Sequence, residues 1–148
     1  MPDFPMRRLA GVMLLALGIA LGGCEDDPVV PDPEPEVATM RLTIGAQTID
    51  IDDTGVVTGG PIAMSANTAI SVQWLKANGT PETIVTAAEF QLDVTTDNAS
   101  VVTFSRSTAF TGNLVKAAAG STILRFSLFH IIEGHPDFGP FPVNVTVS

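Results

Sequence analysis

Along most of the chain, apolar and polar side chains alternate with a period of two, in short runs that begin near Val37 and continue to the C-terminus. Met40, Leu42 and Ile44 alternate with Arg41 and Thr43, Ile49 and Ile51 with Asp50 and Asp52, and Ile70, Val72 and Trp74 with Ser71 and Gln73. Phe90, Leu92 and Val94 follow, then Val102 and Phe104, then Leu124, Phe126 and Leu128, and last Val143, Val145 and Val147. Successive side chains of a strand point to opposite faces, so each run predicts a strand with one face in a core and the other in water. Gly45-Ala46, Asp53-Thr54-Gly55, Ala77-Asn78-Gly79 and Asp97-Asn98 separate the runs with residues suited to turns. Asn78-Gly79 is the strongest hairpin marker, because both residues accept positive φ. Asn113 to Ala119 carries some helical propensity. The pattern predicts an all-β chain: an antiparallel β-sandwich of about seven or eight strands, with Trp74 and the phenylalanines in its core.

A different pattern governs the first 24 residues. Arg7 and Arg8 precede the uncharged apolar run Leu9 to Leu21, which is shorter than the roughly 20 residues that span a bilayer and has the length of a secretion signal. The run ends in Leu21-Gly22-Gly23-Cys24, which resembles the lipobox of bacterial lipoproteins: an aliphatic residue, two small residues and a Cys. The resemblance implies that residues 1–23 are removed between Gly23 and Cys24, and that Cys24 carries a diacylglyceryl group. Cys24 is the only Cys, so an intrachain disulfide is excluded. Two or more acyl chains exceed the requirement for stable membrane attachment without a span. In such lipoproteins Asp after the Cys favours the inner membrane; Glu25 stands there, which implies the outer membrane.

Charge divides the mature chain further. Of 7 basic residues Arg7 and Arg8 leave with the signal, and of 16 acidic ones Asp3 does, so 5 bases face 15 acids for a net of −10. That balance repels phosphate backbones and argues against nucleic acid as a partner. Six of the acids crowd into residues 25–36 (EDDPVVPDPEPE) among prolines, which predicts that residues 24–36 form an extended, solvated linker. Glu25, Asp26 and Asp27 lack the loop needed to wrap Ca²⁺. Asp50, Asp52 and Asp53 lack a distal bidentate Glu, and Ile51 interrupts them in strand phase.

Within the domain, residues 37–148, the second half resembles bacterial immunoglobulin-like domains of group 2. The matching text is Thr95 to Phe104 (TTDNASVVTF), then Gly112, Leu114, Lys116 and Ala117, then Ala119-Gly120 before the strand Thr122 to Leu128, and the closing strand Phe141 to Val147. The resemblance implies an immunoglobulin-like sandwich, with Gly112 and Gly120 at tight turns. Val102 stands where that family usually has Ala, and His130 to Pro140 reads as a long inserted loop before the last strand.

That segment, FHIIEGHPDFGPF, holds the one cluster with chemical potential. Both histidines of the chain, His130 and His135, lie there with Glu133 and Asp137, a donor set suited to Zn²⁺ or Cu²⁺, although the spacing matches no established zinc signature. The competing reading is a loop shaped by Gly134, Pro136 and Gly139. Ser residues are plentiful, but none sits in a GxSxG elbow and no thiol remains free, so nucleophilic catalysis finds little support. The sequence therefore leads to a non-catalytic, lipid-anchored envelope module whose partners are the membrane and an envelope protein or glycan, with no cofactor beyond the lipid. The alternatives are a metal-binding protein using His130 to Asp137 and a purely structural envelope component.

Overall fold

A computed structural model describes residues 34–148; the signal, the Gly23-Cys24 junction and residues 24–33 of the linker lie outside the described residues. Among the described residues ten strands are present: β1 Thr39–Ile44, β2 Gln47–Asp52, β3 Val57–Thr58, β4 Ile62–Met64, β5 Thr68–Leu75, β6 Phe90–Thr96, β7 Val102–Thr108, β8 Thr111–Lys116, β9 Gly120–His130 and β10 His135–Val147. They form a six-stranded sheet in the order β3-β2-β1-β5-β8-β7 and a four-stranded sheet in the order β4-β10-β9-β6. The two inner faces bury one core that includes Met40, Leu42, Ile51, Leu114 and Phe126. β1-β5-β8-β7 against β10-β9-β6 reproduces the two sheets of an immunoglobulin sandwich. The hairpin partner β2, with β3, extends the first sheet, and β4 joins the second by pairing parallel with β10.

Every alternating run is a strand in its expected phase, and Trp74 is buried. The strand count of seven or eight is too low because β3 and β4, at two and three residues, are too short to show a period. Asn113 to Ala119 is not helical: Leu114 is fully buried in β8, which is hydrogen-bonded to β5 on one side and β7 on the other. Tertiary pairing overrides the local preference there. Asn78-Gly79 does form a tight turn, with Asn78 Oδ1 accepting the Thr80 N–H at 3.0 Å. Only the bridge Leu75–Pro81 follows it before the chain crosses to the other sheet.

Gly112 also departs from expectation, since it lies inside β8, opposite Ile70 and Arg106, rather than at a turn. A Cβ there would run into the Phe104 ring and come within 2.6 Å of the Ser105 carbonyl oxygen. Gly112→Ala is expected to cost about 2 kcal/mol through overpacking, read as a lowered denaturant midpoint with an unchanged slope.

At each open side of the sandwich a side chain bridges the two sheets. Gln47 reaches from β2 to β4, donating to the Gly59 and Pro61 carbonyls at 3.0 and 2.6 Å and accepting the Ala63 N–H at 3.3 Å. On the other side Arg106 of β7 donates to the Leu92 carbonyl of β6 at 2.9 Å. The end of the linker is less free than a solvated stalk would be: the Glu36 N–H donates to the buried Glu82 carboxylate at 3.0 Å.

Candidate functional site

His130 and His135 are the last residue of β9 and the first of β10, paired across the hairpin. The expected long loop between them is a turn of only four residues, Ile131 to Gly134, because Pro136 to Pro140 continue β10. Gly134, at φ +77°, closes the turn by donating to the His130 carbonyl at 2.9 Å. The Ile131 N–H donates to the Glu89 carbonyl at 2.7 Å, tying the turn to the residue before β6. Phe90 is the β6 partner of His130, and the two rings stack at 4.5 Å, which fixes the imidazole plane.

β10 carries a register shift between Pro136 and Phe138. The extra residue lets Phe138 turn into the core beside Leu128 while Asp137 is re-aimed at the histidines, a common use of a β-bulge. Asp137 Oδ1 lies 2.9 Å from His135 Nδ1, and Oδ2 lies 3.6 Å from His130 Nδ1. Glu133 Oε2 is 2.7 Å from His135 Nε2 and 3.5 Å from His130 Nδ1. All four residues singled out in the sequence therefore converge.

Their environments differ sharply. The Asp137 side chain is 7% exposed and that of His135 51%. Asp137 Oδ1 is buried and makes no hydrogen bond. The Glu133 hydrogen bond holds the His135 imidazole above its usual pKa against the opposing effect of desolvation, with the Asp137 charge adding to the rise. Among the described residues no group of three or more His, Cys, Asp or Glu stands ready to hold a metal ion. The His135 ring bridges Glu133 and Asp137 through its two nitrogens.

Beside the cluster is a small cavity of about 80 Å³ lined by Glu34, Ile84, Glu89, His130, Glu133 and Asp137 among others, with four carboxylates and no Lys or Arg. Glu34 and Glu89 come from the linker and from the approach to β6. No spacing signal connects them to the histidines, and only the fold does. A larger open groove of about 430 Å³, lined by Pro61, Thr122 and Asn144 among others, contains no titratable side chain.

Of the other carboxylates considered in the sequence, Glu25, Asp26 and Asp27 fall outside the described residues, while Asp50 and Asp52 have structural partners. Asp50 accepts two hydrogen bonds from Arg41 at 2.8 Å, and Asp52 caps the turn after β2 by accepting the Thr54 and Val56 N–H groups at 2.9 Å. Gly23 and Cys24 fall outside the described residues. One feature went unread in the sequence although its signal was present: Ile131 and Ile132 are consecutive apolar residues at a turn, and they stand exposed. Compared with family models, curated proteins and solved structures, the chain matches none.

Proposed function

We propose that this chain is a lipid-anchored, non-catalytic binding module of the bacterial cell envelope, facing away from the outer membrane on residues 24–36 and engaging a protein partner through the tip of the β9–β10 hairpin. The observation that carries the binding role is the exposure of Ile131 at 45% and Ile132 at 72%. Turn positions favour Gly, Asn, Asp and Pro, so two adjacent isoleucines in water at the end of a rigid hairpin gain most from burial in an apolar pocket. Anchoring rests on the lipobox-like text ending in Cys24, and the strand order of the sandwich supports an immunoglobulin-like module.

A photo-crosslinking residue placed at position 132 in the native host should yield a discrete adduct, reduced at least tenfold by Ile131→Asp and absent when the probe sits at exposed Ser107 of β7. The Asp variant should keep its stability within about 0.5 kcal/mol, as substitutions at exposed positions outside the core usually do. Cys24→Ser should abolish lipid labelling and leave an uncleaved precursor. An adduct unaffected by Ile131→Asp would overturn the tip as binding surface, and normal processing of Cys24→Ser would overturn the anchor.

A further inference from the structure

The exposed tip of the β9–β10 hairpin is continuous with the small cavity beside it, because Ile132 is one of that cavity's walls. Two kinds of surface meet there. Ile84 and Ile132 are apolar, while Glu34, Glu89, Glu133 and Asp137 carry carboxylates. A basic side chain has the same division, an aliphatic stem and a charged head. We propose that this cavity receives an arginine side chain of the protein partner, with its guanidinium among Glu34, Glu89 and Glu133 and its stem against Ile132. The proposal rests on the tip as docking surface and adds the chemistry that the partner presents to it.

Three further observations support the assignment. Asp137, which lines the cavity, has a side chain only 7% exposed, and its buried Oδ1 makes no hydrogen bond. A carboxylate so placed is unfavourable until positive charge comes near it. No Lys or Arg lines the cavity, and those of the described residues are engaged elsewhere: Arg41 with Asp50, Lys76 with Glu82, Arg106 with Asp93, Arg125 with Asp97, and Lys116 with the Ser65 carbonyl. The complementary charge therefore has to be supplied by a partner. The walls are also held in place, since the His130 ring stacks on Phe90 and the Ile131 N–H is bound to the Glu89 carbonyl, so little ordering remains to be done on binding. Guanidinium suits the site better than ammonium. Glu34, Glu89 and Glu133 come from three separate segments, and a planar head with five N–H donors and weak hydration can serve several carboxylates at once.

The test uses the full chain in detergent micelles and N-acetyl-arginine methylamide as probe, with the neutral isostere N-acetyl-citrulline methylamide as control. Amide spectra are expected to show saturable shifts at Glu89, His130 and Glu133 with the arginine probe, at millimolar Kd, and none with citrulline. Glu89→Gln should weaken the arginine probe at least about fivefold, since one charge-assisted contact is lost at a site open to solvent. Its backbone carbonyl, not its side chain, holds the Ile131 N–H, so the variant should keep its fold, which circular dichroism checks. In the native host, Glu89→Lys should lower the adduct formed from position 132 at least about tenfold. Equal shifts with citrulline, unchanged affinity in Glu89→Gln, or an adduct indifferent to Glu89→Lys overturns the arginine assignment and leaves the tip as docking surface. Arginine binding that depends on Glu89, with no adduct from position 132 in any variant, overturns the tip instead.

Discussion

Trp74→Ala is expected to destabilise the domain by about 3–5 kcal/mol, most of what a domain of this size has in reserve. The side chain is 5% exposed, in the six-stranded sheet, and its indole meets Phe110 and Phe138 edge-to-face at centroid distances of 6.4 and 6.3 Å. Those partners belong to different layers: Phe110 lies in the turn between β7 and β8, and Phe138 in β10 of the opposite sheet. Removal of the ring therefore leaves a void at the seam between sheets, where neither backbone can move in to fill it without breaking a ladder. Denaturant unfolding followed by circular dichroism measures the effect. A loss under about 1 kcal/mol would mean that the sheets close over the site, or that the ring is not the joint between them.

The same residue shows what could be read from the sequence and what could not. Trp74 lies on the apolar phase of an eight-residue run, so its burial follows from period two alone. Alternation specifies a face but not a partner, and nothing in the run distinguishes Phe110 from Phe138 as its neighbour. The hairpin of β9 and β10 illustrates the opposite case. Pro136, Gly139 and Pro140 resemble a loop in sequence, yet the strand continues through them because register shifts at Pro136/Phe138 and Phe138/Phe141 absorb the residues that cannot hold the ladder. Gly139, at φ +86°, is required there, since a Cβ would lie 2.5 Å from the Phe126 carbonyl oxygen. The clustering of His130, Glu133, His135 and Asp137 was legible from proximity in sequence. Their distances, the burial of Asp137 and the arrival of Glu34 and Glu89 depend on that bulge and on strand order, which local pattern does not encode.

Glu82 carries the second large expectation, and no local signal marked it. It lies in the crossing from β5 to β6, its side chain fully buried, and its carboxylate accepts the Glu36 N–H at 3.0 Å and the Ile84 N–H at 3.1 Å, with Lys76 Nζ at 3.4 Å. Glu82→Leu keeps the volume but strands both backbone donors, so the expected cost is about 3 kcal/mol, most of it from the unpaired N–H groups. Lys76 is one-third exposed, and the ion pair itself contributes little after solvent screening. Burial alone would raise the carboxyl pKa. The Ile84 and Glu36 N–H groups and Lys76 outweigh it and hold the group below its ordinary value of 4.5. A folded-state pKa below the unfolded one means that the contribution is complete above pH 4.5 and is lost as pH falls through the depressed value. Asp50 and Asp52 are depressed as well, so wild-type stability falls in acid for several reasons at once. Glu82→Gln isolates one of them: its deficit against wild type, measured by urea unfolding, should be constant from pH 7 to pH 5 and shrink steadily below about pH 4. A deficit that stays constant into acid would show that Glu82 acts through shape and neutral hydrogen bonds alone, and that its charge contributes nothing to fastening the linker onto the domain.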